Sequence, residues 1–285
     1  MLSVPPQIVP SNMDLQSESL DLKLNLGYRV LRCTCSSTKN NIDRFDVRLS
    51  RNLCIEKATA SDTCVLHYRT MADSEQIPIT LWGVGTARTL RPIWVAEELG
   101  LHYELKPIGP RTGETKTEAY TALNPKQKIP FCEVGSIKIS ETFAICRYLL
   151  AQFGSSPGLS APGSIEEAAK EDEWLSFIYG ELDETSLYVM RRHGALSDIY
   201  GEAPEAMASA REYVLRMLQV VEKALDNREF LLRNKFSLAD LFLTTCLNWV
   251  LSYDIPLASS LRTYRDRIIL KPAYQRATEA NKPRT

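Results

Sequence analysis

From residue 77 onward the apolar positions follow two rhythms, a period of two and a period near 3.6, with turn residues between them. Ile77–Trp82 is a short β-branched run broken by Gly83-Val84-Gly85. Leu90–Leu99 follows as a helix stopped by Gly100, a usual residue just past a helix end. Pro92 then falls in its first turn, where a missing N–H costs nothing. Tyr103–Pro107 reads as a second strand, which makes a βαβ unit with a right-handed parallel crossover. Residues Gly109–Ala122 are polar and read as an irregular loop with one helical turn. Ile129–Val134 and Ile137–Ser140 are two strands joined across Gly135-Ser136, a hairpin signal. A helix begins at Glu141-Thr142, with Ile145, Tyr148 and Leu149 at helical spacing. Pro130 removes a ladder donor from the strand that holds it, so it marks an edge position or a cis bond.

After a Gly/Pro/Ser-rich linker over residues 154–163, the pattern is helical throughout. Ser164–Arg192 reads as one long helix, bent or broken near Gly180, and Pro204–Asn227 as a second. Phe236-Ser237-Leu238-Ala239-Asp240 opens a third, with Ser237 as N-cap and Asp240 three residues on to complete a capping box. Leu238, Leu241, Phe242, Thr245 and Trp249 make its buried face, and Tyr264–Leu270 and Lys271–Ala280 close the bundle. Residues 1–75 behave differently. Their apolar residues are scattered singly, without a sustained period, and the stretch reads as a disordered or artefactual extension ahead of Met71. It is too rich in acids for a transit peptide and has no apolar signal core. The expected organisation is therefore an extension over 1–75, an α/β domain over 76–153, a linker over 154–163 and an all-α domain over 164–285.

Composition narrows the function. The chain has 285 residues, 44% of them apolar, and a formal charge of −1, so no global basic field argues for nucleic acid. No apolar run is long enough to span a bilayer, so no membrane partner is expected. Seven cysteines stand at irregular spacings, the usage of reduced intracellular thiols rather than of a disulfide framework. Cys33 and Cys35 lack a matching His or Cys pair at ligand spacing, so no metal is expected.

Lys128-Ile129-Pro130 before a strand, Glu141-Thr142 opening the next helix, and an all-helical half thereafter resemble the cytosolic-type glutathione transferases, with the run LKPAYQRATEAN similar to their bacterial members. The resemblance runs from about residue 76 to the C-terminus. It implies a thioredoxin-like βαβ-ββα domain followed by an all-helical domain, glutathione as co-substrate, a small electrophile as second substrate, and a homodimer working in cytoplasmic detoxification. It also implies that Pro130 is cis, that the Ile129 backbone pairs with the cysteinyl part of glutathione, and that Glu141 and Thr142 hold its γ-glutamyl end. Lys128 then meets the glycine carboxylate or is a solvated surface lysine.

Conjugation requires the thiolate, and a free thiol of pKa about 8.5 is mostly protonated near neutrality. A hydroxyl donating to sulfur near a helix N-terminus lowers that pKa. Between the first strand and helix, Thr86 and Thr89 compete for this role. In serine-type members the catalytic hydroxyl lies about five residues before a helix arginine, and Arg91 then points to Thr86. Thr89 stands where the N-cap is expected, and Arg88 is an alternative source of positive field. The place where a redox relative carries Cys-x-x-Cys holds Thr86-x-x-Thr89, which argues against disulfide exchange through a protein thiol. Tyr179, Tyr188 and Arg191 are candidates for the electrophile pocket by position. A non-catalytic module of the same fold, used for protein assembly as in the elongation factor gamma subunit, is the competing reading.

Overall fold

The computed structural model describes residues 77–283 except 233 and, before them, only the backbone of three short stretches. The chain divides into two compact units, residues 1–76 and 77–285. In the first, β1 (Ser19–Asn25), β2 (Val30–Thr38) and β3 (Asn41–Asp46) form an antiparallel sheet in that order. The expectation for the rest of residues 1–75 lies outside the described residues, as do the side chains of Cys33 and Cys35.

The second unit opens with β4 (Ile79–Trp82), α1 (Ala87–Leu99) and β5 (Glu104–Lys106). A 3-10 turn over Glu114–Lys116 leads into α2 (Glu118–Leu123), then β6 (Phe131–Val134), β7 (Ile137–Ser140) and α3 (Thr142–Phe153). The sheet order is β5-β4-β6-β7, with β5 parallel to β4 and both β6 and β7 antiparallel to their predecessors in the row. This is the expected βαβ-ββα thioredoxin-like arrangement. Val134 pairs with Ile137 across Gly135, whose φ of +58° meets the two-residue turn without a Cβ penalty. The Ile129-Pro130 bond is cis, and the strand starts only after it, at Phe131.

The helical half begins with α4 (Ile165–Phe177), capped by Ser164, whose hydroxyl accepts from the Glu167 N–H. The long helix is not broken at Gly180; over Ile178–Tyr188 it winds as a π-helix and returns to α as α5 (Val189–His193). The Ser186 hydroxyl donates to the Glu181 carbonyl at 2.7 Å, five residues back, which is the spacing of the wider turn. A short α6 (Ser197–Tyr200), then α7 (Pro204–Ala224), α8 (Leu238–Leu251), α9 (Ser259–Ile268) and α10 (Pro272–Ala280) complete the unit.

One continuous apolar cluster runs from Ile79 and Leu81 of the sheet through Trp94 and Ile145 to Leu182, Phe242 and Ala277 of the bundle. The two halves therefore share a core, and α1 lies between them. Trp94 of α1 is fully buried and meets the Tyr274 ring of α10 edge-on at 4.8 Å.

The α8 N-terminus is held by a buried carboxylate. Asp240 accepts from the Ser237 N–H (2.9 Å) and hydroxyl (2.6 Å), from the Leu231 N–H (2.9 Å) and from the Tyr264 hydroxyl (2.7 Å). Burial pushes the Asp240 carboxyl pKa up, and these donors oppose that shift. Asp240→Ala orphans four donors around a buried cap, so it should cost about 3–5 kcal/mol. The check is a urea unfolding midpoint that falls with an unchanged m-value.

Candidate active site

The loop from β4 to α1 sets the geometry. Gly83 has φ +107°, and a Cβ there would lie 2.6 Å from the Ile129 Cβ, so only glycine lets the loop before β6 approach this closely. Helix α1 starts three residues earlier than expected, because Thr86, not Thr89, is its N-cap. The Thr89 N–H donates to the Thr86 hydroxyl oxygen (3.0 Å) and the Thr86 N–H to that of Thr89 (3.0 Å), a reciprocal box built from two threonines. Pro92 consequently stands inside the helix rather than in its first turn. Its ring leaves the carbonyl four residues back, that of Arg88, without an intrahelical donor. The Thr142 hydroxyl supplies one at 3.3 Å.

A residue not singled out in the sequence locks this loop. Asn281, just past α10, donates from Nδ2 to the Thr86 carbonyl (3.1 Å). Its Oδ1 accepts from the Thr89 hydroxyl (2.7 Å) and the Gly85 N–H (3.2 Å), and its carbonyl accepts from Gly85 as well (2.8 Å). Thr89 is buried at 0% exposure and satisfied by these contacts, so it is the brace of the loop. Thr86 is partly exposed, and its oxygen accepts from the Thr89 N–H, which leaves the hydroxyl proton to be donated elsewhere.

Thr86 opens on a cleft of about 440 Å³ lined from both halves. The sheet side contributes Thr86, Arg88, Lys128 and Ile129, and the helical side Tyr188, Arg191 and Trp249. Trp249 was expected in the buried face of its helix; it is half-buried at the cleft wall, because helical spacing cannot separate a core face from a pocket face. The cleft also takes in Arg111 and Lys116 from the β5–α2 connection and Tyr200 from α6. None of these carried a signal of its own, since surface arginines and tyrosines in loops have no period. Tyr179 does not line the cleft; it packs on the core, where burial pushes its phenol up to about 12.

The Lys128 carbonyl accepts from the Tyr120 hydroxyl (2.7 Å) and from Asn124 Nδ2 (2.9 Å), which pins the approach to Pro130. Among the described residues neither the N–H nor the C=O of Ile129 is hydrogen-bonded, so an extended backbone could pair there as an added strand. Glu141 and Thr142 lie outside the cleft lining. Glu141 has φ +76°, an uncommon conformation for a side-chain-bearing residue, and no side chain caps the first-turn N–H groups of α3. Its carboxylate meets Lys126 at 2.8 Å in a solvent-exposed pair, an interaction a charged ligand could exchange at little cost.

Arg88 is not a free positive charge. Its guanidinium meets Asp183 (2.5 Å) and Glu184 (3.0 Å) and lies 4.3 Å above the Tyr188 ring. Asp183, wholly buried in the π-helical stretch, also pairs with the buried Arg91 at 2.7 Å. Cys132, Cys146 and Cys246 are buried free thiols, and burial pushes Cys132 and Cys246 up to about 12 and Cys146 higher still. All three are inert thiols by the ordinary criterion of thiolate content. Among the described residues no three His, Cys, Asp or Glu side chains group as a metal site, and no helix is long and apolar enough to cross a membrane.

The family profile "Glutathione S-transferase, N-terminal domain" matches residues 77–151, and "Glutathione S-transferase, C-terminal domain" matches residues 177–269. Together these take in more than half of the chain, which belongs to the glutathione S-transferase family. Glutathione S-transferase F4 of Arabidopsis thaliana is 29% identical over 70% of this chain and 86% of its own length. Glutathione S-transferase 1 of Zea mays is 27% identical over 72% of this chain and 98% of its own. Among solved structures, the glutathione transferase URE2P6 of Phanerochaete chrysosporium, in complex with oxidized glutathione, superposes with a TM-score of 0.63. It is 23% identical, over 74% of this chain and 98% of its own, a likeness that speaks for the fold.

Asn281→Ala removes one donor and one acceptor from the loop that carries Thr86. It should cost about 1–3 kcal/mol and speed amide exchange at Gly85 and Thr86 selectively. Hydrogen-exchange mass spectrometry on the peptide covering the β4–α1 loop checks this.

Proposed function

We propose that this protein conjugates glutathione to small electrophiles, with Thr86 as the hydroxyl that stabilises the thiolate. The observation that carries the reading is that the Thr86 hydroxyl and the unpaired backbone of Ile129 open on one cleft. Glutathione would add as a strand along Ile129, with its glycine carboxylate toward Lys128. Its γ-glutamyl carboxylate would take the free N–H groups at the start of α3, beside Glu141 and Thr142. The sulfur would then lie at Thr86, the N-cap of α1, where the hydroxyl proton and the helix dipole both favour the anion. The thiol proton leaves to solvent, sulfur attacks the electrophile, and the leaving group departs with its electron pair. The Thr142 hydroxyl has a structural task, since it already donates to the Arg88 carbonyl. By its family the chain would work as a cytoplasmic homodimer in detoxification.

One observation favours the competing reading of a non-catalytic module. The Thr86 oxygen lies 3.0 Å from that of Thr89, and a proton given to Thr89 is not available to sulfur. The two readings separate in conjugation assays of the full chain with 1-chloro-2,4-dinitrobenzene, beside Thr86→Val and Thr86→Ser. Under the transferase reading Thr86→Val lowers kcat/KM on the order of 10²-fold, Thr86→Ser keeps it, and glutathione affinity changes little in either. The pH midpoint of the rate lies below that of the free thiol in the parent and rises toward about 8.5 in the valine variant. Equal rates in all three proteins would remove Thr86 from the mechanism. No turnover in the parent would leave the assembly module.

A further inference from the structure

The cleft carries more positive charge than one glutathione can use. Arg88, Arg111, Lys116, Lys128 and Arg191 all line it, and no aspartate or glutamate does. Arg88 is neutralised from behind by Asp183 and Glu184. No ion pair among the described residues compensates Arg111 or Arg191. In the docking described above, the glycine carboxylate uses Lys128, the thiolate uses Thr86, and the γ-glutamyl carboxylate goes to the start of α3. Even with Lys116 given to the glycine carboxylate, Arg111 and Arg191 retain their charges.

These two guanidinium groups share the cleft with aromatic side chains. Arg191 is half-buried and its guanidinium lies 6.0 Å from the Trp249 ring centroid. Tyr188 and Tyr200 line the same space. Burial holds the Arg191 pKa below its usual value, and the Arg111 charge adds to the effect. Like charges held near one another without an anion are costly, and an arriving planar anion relieves that cost through forked hydrogen bonds.

We propose that this cleft selects electrophiles with a carboxylate on an aromatic body, the carboxylate meeting Arg191 and Arg111 and the ring stacking among Tyr188, Tyr200 and Trp249. The inference rests on the transferase reading and names the class of its second substrate. In the reaction the glutathione sulfur forms a bond to the ring carbon that bears the leaving group. For an aryl chloride, chloride leaves with the electron pair of the C–Cl bond and the thiol proton goes to solvent. The carboxylate takes no part in the bond changes, and nothing is oxidised or reduced.

The test compares 4-chloro-3-nitrobenzoate with 4-chloro-3-nitrobenzamide, using the full chain. The ratio of their kcat/KM values is divided by the ratio of their uncatalysed rates with glutathione. The corrected ratio should favour the benzoate by about tenfold or more. It should fall toward one in Arg191→Met and Arg111→Met, with Arg191→Lys between. A corrected ratio near one in the parent, or a preference that survives both methionine variants, overturns the proposal. Titration calorimetry with the two finished conjugates, S-(4-carboxy-2-nitrophenyl)glutathione and its carboxamide, reads the same discrimination without turnover. Equal affinities there overturn the anion site. A tenfold preference for the carboxylate conjugate supports it, and if neither chloride is then turned over, it is the transferase reading that fails.

Discussion

The buried carboxylate of Asp183 joins the two halves of this molecule. It lies between Arg88 and Arg91 on one helix, with Arg91 also donating to Thr245 and to the Cys246 sulfur. Two guanidinium groups on one wholly buried carboxylate are a poor source of net stability, because desolvation offsets most of the attraction. Their value lies in position. Removing Asp183 would leave the buried Arg91 without a carboxylate and Arg88 with Glu184 alone, so helix α1 has one workable seat against the bundle. The N-cap of that helix is the point at which Thr86 faces the cleft. The wider winding over Ile178–Tyr188 serves the same end, since it is the stretch that carries Asp183 and delivers Tyr188 to the cleft wall.

Three devices therefore converge on a short loop. The ion cluster fixes α1 from the bundle side, Asn281 holds the loop from the end of α10, and Gly83 lets the loop bearing Ile129 come within contact. Each comes from a different part of the chain. A site assembled this way is stiff, since movement of Thr86 would break hydrogen bonds in more than one element.

From residue 77 onward the order of elements was legible in the sequence because each is a local pattern, whereas the strands β1–β3 carried no period that marked them. The strands alternate, the helices keep their period, and Gly100 and Ser237 punctuate them. The hairpin at Gly135 was legible for the same reason, whereas the local pattern left Pro130 open between an edge position and a cis bond and the family resemblance implied cis. That Thr86 borders the cleft agrees with the spacing to Arg91 that the family resemblance supplied. The start of α1 was not legible, because its capping box closes on Thr89 in place of the usual Glu or Gln, and Pro92 stands inside the helix as a result. The π winding escaped because one extra residue per turn leaves the apolar spacing nearly unchanged. Asn281, Arg111 and Trp249 meet the site only through long-range packing. A sequence pattern shows which face of an element is apolar; it does not show that the face borders a cavity.

The proline in α1 has an effect beyond its own helix. By withholding an N–H it hands the Arg88 carbonyl to Thr142, so α1, which Thr86 caps, and α3, which opens at Glu141, are tied at their N-termini. Position 92 and position 142 thus form one unit, although fifty residues separate them. A residue with an N–H at 92 would make the threonine hydroxyl redundant, and a side chain without a hydroxyl at 142 would orphan a carbonyl only while proline remains. Changes at the two places are therefore not additive, since loss of the hydroxyl at 142 costs a hydrogen bond only while proline stands at 92.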